Sequence, residues 1–130
     1  MATSVGILSD EQVLDVLKRR RTGRLSCAAD GFTRISPVRY HAAEGPDLYL
    51  LPPDAECLAL VRANPRVRFE VDDVRGPSQW ETVLGWGRIE EVLSPDLVSA
   101  SRNDQRPVYK IRLDALRGYY RTGASRGDRD

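Results

Sequence analysis

The chain has 130 residues, 41% hydrophobic and 30% charged, enough for one globular domain with a modest core and too few for two. Its 20 basic and 19 acidic residues leave a net charge of +1, which gives no broad electrostatic footprint for nucleic acid or an anionic membrane. There is no apolar run of membrane-spanning length, and the start (MATSVGILSDEQ) lacks the basic and apolar regions of a secretory signal, so a cytoplasmic protein is expected.

Residues 1–8 are expected to form a flexible lead-in, with a single domain over 9–118. Ser9 reads as a helix N-cap, with Gln12 completing a capping box and Asp10 and Glu11 favouring the first turn. Val13, Leu14, Val16 and Leu17 make the apolar stripe. Lys18, Arg19, Arg20 and Arg21 complement the macrodipole at the helix end, a simpler reading than a nucleic-acid patch, and Gly23 is the predicted C-terminal cap. Arg24 to Ala29 reads as a strand, Asp30-Gly31 as a hairpin turn, and Phe32 to about His41 as the returning strand. A loop with Gly45-Pro46 leads to a short strand, Asp47 to Leu51, stopped by Pro52-Pro53. Asp54 then caps a helix that runs to Ala63, with Leu58, Leu60 and Val61 apolar.

The rest is organised around Leu58 to Asp72. Pro65 removes an N–H and pushes Asn64 out of the helical region, so the helix ends there. Beyond it Val67, Phe69 and Val71 alternate with Arg66, Arg68, Glu70 and Asp72, the pattern of a half-buried strand. A polar loop over Asp73 to Ser78 is predicted, then a long strand over Gln79 to Val92 in which Gly85 and Gly87 mark a bend or bulge. Ser94-Pro95 starts a predicted short helix to about Arg102, Val108 to Leu113 is a sixth strand, and a disordered tail is expected over 119–130. The fold class is α+β, a six-stranded antiparallel barrel with two to three short helices.

Few residues carry chemistry on their own. Cys27 and Cys57 are too few for a disulfide scaffold and lack metal-ligand spacing, so no metal site is expected. Cys27 reads as a small buried hydrophobe. Cys57, at a helix N-terminus, is a candidate reactive thiol opposed by Glu56. His41, the single histidine, has no partner placed to orient it. No serine has a nucleophile-elbow context, and Gly85-Trp86-Gly87 lacks the βαβ unit of a dinucleotide fingerprint. Arg34 and Arg39 fall on opposite faces of one strand. Trp80, Thr82, Leu84 and Trp86 share a face, as ligand wall or as packing surface.

The order helix, NPRVRFEVD, Trp80-Glu81-Thr82-Val83 and Gly87-Arg88-Ile89-Glu90-Glu91-Val92, with Gly23-Arg24-Leu25, Asp30-Gly31 and Pro37-Val38 upstream, resembles the pyridoxamine 5′-phosphate oxidase-like family of flavin-binding split β-barrels. The resemblance covers roughly Leu8 to Leu113. It implies a homodimer holding FMN, or a deazaflavin, in a cleft between subunits and a small-molecule substrate; no nucleic acid or membrane partner is expected from the charge balance. The implied cofactor-binding residues are Arg34, Pro37, Val38, Arg39, Leu51, Cys57, Trp80 and Thr82; catalytic residues are not implied. At the usual phosphate-binding positions the chain carries Leu51 or Pro52, Ala55, Glu56 and Cys57, apolar groups and a carboxylate in place of hydroxyls and cations. Two readings follow: a small flavin-dependent oxidoreductase, or a family member that has lost FMN and binds another ligand (heme, for example) or a partner.

Overall fold

The computed structural model describes residues 4–42, 47–92 and 108–122. Seven strands and two helices follow in the order β1 (Ser4–Ile7), α1 (Asp10–Arg19), β2 (Thr22–Ala29), β3 (Phe32–Ala42), β4 (Asp47–Leu50), α2 (Ala55–Ala63), β5 (Arg66–Gly76), β6 (Gln79–Val92) and β7 (Val108–Thr122). Each sheet pairing is antiparallel, in the order β1-β7-β4-β3-β2-β5-β6, and an added β6–β7 pairing closes six of the strands into a ring. This is the expected barrel with one strand more.

The local signals account for most elements. Ser9 and Gln12 form the reciprocal capping box of α1, and Asp54 accepts from the Cys57 N–H at 2.8 Å to start α2. Asp30 and Gly31 both take positive φ (53° and 84°), the backbone that a two-residue hairpin turn requires. On β5 the alternating Val67, Phe69 and Val71 are buried, and β6 answers with Val83 and Ile89. The bulge falls between Trp86 and Gly87, opposite β7. There Gly87 lies against the Arg112 carbonyl so closely that a side chain has no room.

Four expectations are corrected. Residues 4–7, read as lead-in, pair with Arg121 and its neighbours as β1. Asp73 to Ser78 is not a loop: β5 runs on to Gly76 and turns at Pro77-Ser78. The last strand continues well past Leu113, to Thr122, so 119–122 belong to the sheet. Gly23 does not cap α1, whose C-cap is Arg20. It sits inside β2, where a Cβ would come within 2.6 Å of the Phe69 ring. The helix predicted from Ser94 to Arg102, the Gly45-Pro46 loop and the tail beyond 122 lie outside the described residues. No helix among the described residues is long and apolar enough to cross a membrane.

The basic run at the end of α1 does more than meet a dipole. Arg19 pairs with Asp15 at 3.0 Å, with Glu81 at 2.6 Å and with Asp73, which also faces Arg75 at 3.6 Å and Arg20 at 4.0 Å. Burial pushes the Asp73 carboxyl up, but the Arg19 hydrogen bond and the surrounding guanidinium charges outweigh it and hold it below 3.8. A depressed folded-state value means that this carboxylate stabilises the fold above the ordinary range and ceases to as pH falls through the lower value. Asp73→Asn is therefore expected to lower unfolding free energy at neutral pH by about 1 kcal/mol, discounted for arginines that reach water. The gap to wild type should close in strong acid, once pH has fallen through that lowered value. Urea titrations of both proteins at the two pH values check this; an undiminished gap in acid would refute the ionic account.

Candidate functional site

The corner between β3 and the first turn of α2 is where the sequence points for an anionic ligand. On β3 the even residues face inward: Ser36, Val38 and Tyr40 are buried, while Pro37, Arg39 and His41 are exposed on the outer side. Arg34 shares the inward parity but lies at the strand's open end. It reaches across to α2, bonding Asp54 through Nε (3.1 Å) and Glu56 through Nη1 (2.7 Å). The guanidinium, followed by the Cys57 N–H, holds the Asp54 carboxyl below its ordinary value. The Arg34 guanidinium and the Cys57 N–H in the first turn of α2 thus already have carboxylate partners. Leu51 is half-buried and donates its N–H to the Arg39 carbonyl at 3.1 Å. Val38 is a core residue.

Cys57 is not a free thiol. It forms a disulfide with Cys27 across β2 and α2, with a Cα–Cα distance of 5.9 Å, and both residues are fully buried. Both readings of the separate cysteines, buried hydrophobe and reactive thiol, give way to a crosslink over 30 residues. A phosphomonoester does not fit here. It would have to displace Asp54 from both Arg34 and the helix N-terminus while lying beside Glu56.

The outer face of the sheet offers a different surface. One row crosses five strands in register: Ile35 on β3, Ser26 on β2, Arg68 on β5, Trp86 on β6 and Ala115 on β7. Ile35 is 60% exposed, and the Arg68 guanidinium carbon lies 5.6 Å from the Trp86 ring centre, within cation–π range. Thr82 donates to the Asp72 carboxylate at 2.6 Å, and Asp72 in turn pairs with Arg24. Pro37 and Arg39 belong to this face as well, so of the implied residues Pro37, Arg39, Thr82 and Trp80 share one side of the sheet while Arg34, Val38 and Cys57 share the other. Arg68 was missed by sequence reasoning, although its parity with Trp86 across the β5–β6 hairpin could have found it.

Known proteins agree with this architecture. A model of the pyridoxamine 5′-phosphate oxidase family matches residues 9–120. The chain is similar to a FAD-binding protein from Mesorhizobium loti, at 26% identity and a TM-score of 0.75 over 89% of this chain and 97% of that one. It is similar in fold to a FAD-binding protein from Mycobacterium smegmatis, at 24% identity, a TM-score of 0.71 and coverage of 89% and 98%. An uncharacterized protein of Rhizobium meliloti is 28% identical over 88 residues, 68% of this chain. The match spans 58% of that curated relative's length.

Proposed function

Because the chain belongs to the pyridoxamine 5′-phosphate oxidase family, we propose that it is a flavin-binding protein of oxidoreductase type that holds its cofactor without the phosphate clamp at α2. The observation that carries this reading is the division between the two arginines of β3. Arg34 is committed to Asp54 and Glu56, whereas Arg39 is exposed on the outer face beside Pro37. A flavin tail would meet Arg39, and a flat ring would find the aromatic surface of β6. When bound, a flavin supplies the hydride or electron chemistry, and the protein supplies position and electrostatics. The Mesorhizobium relative adds support for a flavin in general. FAD, whose pyrophosphate carries about one charge per phosphorus, suits a site without a dianion clamp better than FMN, whose terminal phosphate carries nearly two. A deazaflavin meets the same limits.

The family's homodimer is part of the proposal. The second subunit would pack on the row through the exposed Ile35 and the half-buried Trp86, apolar side chains that a chain of this size otherwise leaves partly in water. Size-exclusion chromatography with light scattering should give twice the chain mass.

Titration with riboflavin, FMN, FAD and a deazaflavin, read by flavin fluorescence, tests the cofactor reading. FMN is expected to bind no more than about threefold tighter than riboflavin, because its phosphate gains little. Arg39→Ala should weaken FAD by about tenfold, and Arg34→Ala should leave it within about twofold. Release of FMN by Arg34→Ala would restore the usual clamp and overturn the proposal. Uptake of no flavin at all would favour the second reading, loss of flavin binding, which the closed Arg34–Asp54–Glu56 corner supports. An absorption band retained with heme would then make His41, exposed at the end of β3, the first ligand to replace.

A further inference from the structure

Three arginines stand side by side on the outer face of the sheet. Arg66 on β5 is opposite Arg88 on β6, and Arg88 is opposite Arg112 on β7. All three are exposed, while their strand neighbours Val67, Ile89 and Ile111 point into the core. Arg68 follows on the next row, over the Trp86 ring, and Arg117 on the row after that. Like charges directly opposite one another on neighbouring strands destabilise a sheet, so a row of three is an arrangement that an anion relieves. The carboxylates of the same face do not balance it. Glu70 is taken by Arg24 at 3.1 Å. Asp47, opposite Arg112, faces Lys110 at 4.0 Å, and Glu90 is also opposite Lys110. Among the described residues only Asp114 reaches the row, 3.4 Å from Arg66 with both side chains more than half exposed, and Arg88 and Arg112 make no ion pair.

The shape of the row selects its ligand. Neighbouring strands lie about 4.8 Å apart, so the anchor points of the three side chains span about 10 Å. A single tetrahedral anion can bridge two of them and leaves the third. A condensed phosphate chain presents successive oxyanions along a line, and each guanidinium fork matches two phosphoryl oxygens. With a net charge of only +1 over the whole chain, the positive potential is confined to this patch, which suits a short polyanion and not a nucleic-acid track. The row stands apart from the β3–α2 corner and from Arg39, and its chemistry does not depend on a flavin. We propose that Arg66, Arg88 and Arg112 form a binding site for a condensed phosphate chain, of diphosphate length or longer, either free or carried by a nucleotide.

Tripolyphosphate and pyrophosphate are the probes, with orthophosphate as the single-phosphate control and ADP as the nucleotide. The chain has two tryptophans, and Trp86 lies one row from Arg88, so its indole N–H signal in the NMR spectrum reports occupancy. At physiological ionic strength tripolyphosphate is expected to shift the Trp86 signal saturably and leave that of Trp80 in place, with orthophosphate at least about tenfold weaker. Arg88→Gln should weaken tripolyphosphate by about tenfold or more, and Lys18→Gln, on the last turn of α1, should leave it unchanged. ADP equal to pyrophosphate would make the bare chain the ligand, and ADP at least about tenfold tighter would add a base to it; both uphold the site. Orthophosphate equal to tripolyphosphate, equal losses in Arg88→Gln and Lys18→Gln, or no saturation by about 10 mM tripolyphosphate would each overturn the assignment. If Arg88→Gln does not fold, the comparison of tripolyphosphate with orthophosphate on the unaltered protein decides the matter alone.

Discussion

Replacing Phe69 by alanine is expected to remove about 3–5 kcal/mol of stability, the largest loss from any single side chain of this barrel. Phe69 is 1% exposed at the middle of β5 and meets Tyr40 edge to face, ring centres 5.0 Å apart. It also fills the space over Gly23, which has no side chain because the Phe69 ring and the Glu70 carbonyl occupy its place. Tyr40 reaches past it to donate to the Leu17 carbonyl at 2.7 Å, and burial pushes its hydroxyl up to about 12. One ring therefore supports β2, β3 and, through Tyr40, the end of α1. Deleting it leaves a cavity that neighbours on three elements cannot collapse into together. Guanidinium unfolding of Phe69→Ala against wild type measures the loss. A value under about 1 kcal/mol would mean that the core repacks freely and that this position is not its centre.

Removal of the Cys27–Cys57 crosslink is expected to cost nearly as much, about 3–4 kcal/mol from chain entropy for a closed loop of 30 residues. The paired change Cys27→Ala with Cys57→Ala avoids leaving one thiol unmatched in a dry core. Reduction of the wild-type protein with a dithiol should reproduce the loss, and the paired variant should not respond. If reduction leaves the wild-type unfolding midpoint unchanged, the bond adds nothing to stability. Such bonds persist in oxidising surroundings and are rare where thiols are kept reduced, so the same comparison reports on the compartment that the protein suits. The crosslink also anchors the turn of α2 that carries Asp54 and Glu56 to Arg34. Its loss should loosen that corner before the rest of the sheet.

The sequence made the barrel readable where one face is buried and the other wet. RVRFEVD and the Gln79–Val92 run alternate cleanly, and caps and turns between strands are set by local chemistry at Ser9, Asp30-Gly31 and Asp54. Signals failed where burial is not periodic. Ser4–Ile7 is four residues long, with Val5 and Ile7 exposed, so nothing distinguishes it from a lead-in. The end of β7 contains Ala115, Gly118 and several arginines, a composition that reads as a tail. Asp73 looked like loop polarity because its three arginine partners come from α1 and from its own strand, a juxtaposition that only the fold creates. At the candidate site, Ala55, Glu56 and Cys57 already announced that a phosphate clamp was missing. They did not reveal that Asp54 and Glu56 would neutralise Arg34, nor that Cys57 would find Cys27.

The pairing of β1 with β7 brings the first strand of the barrel against the last. During synthesis β1 emerges early and has no partner until Thr122 has left the ribosome, so its edge and the gap beside β6 stay open for most of translation. Docking of β7 between β6 and β4 closes the ring, and the same strand then takes up β1 from more than a hundred residues away in sequence, which makes completion of the sheet a late event in folding. Chains stalled short of β7 would display two bare strand edges and the apolar interior between them, and chaperone capture is the expected fate of such fragments.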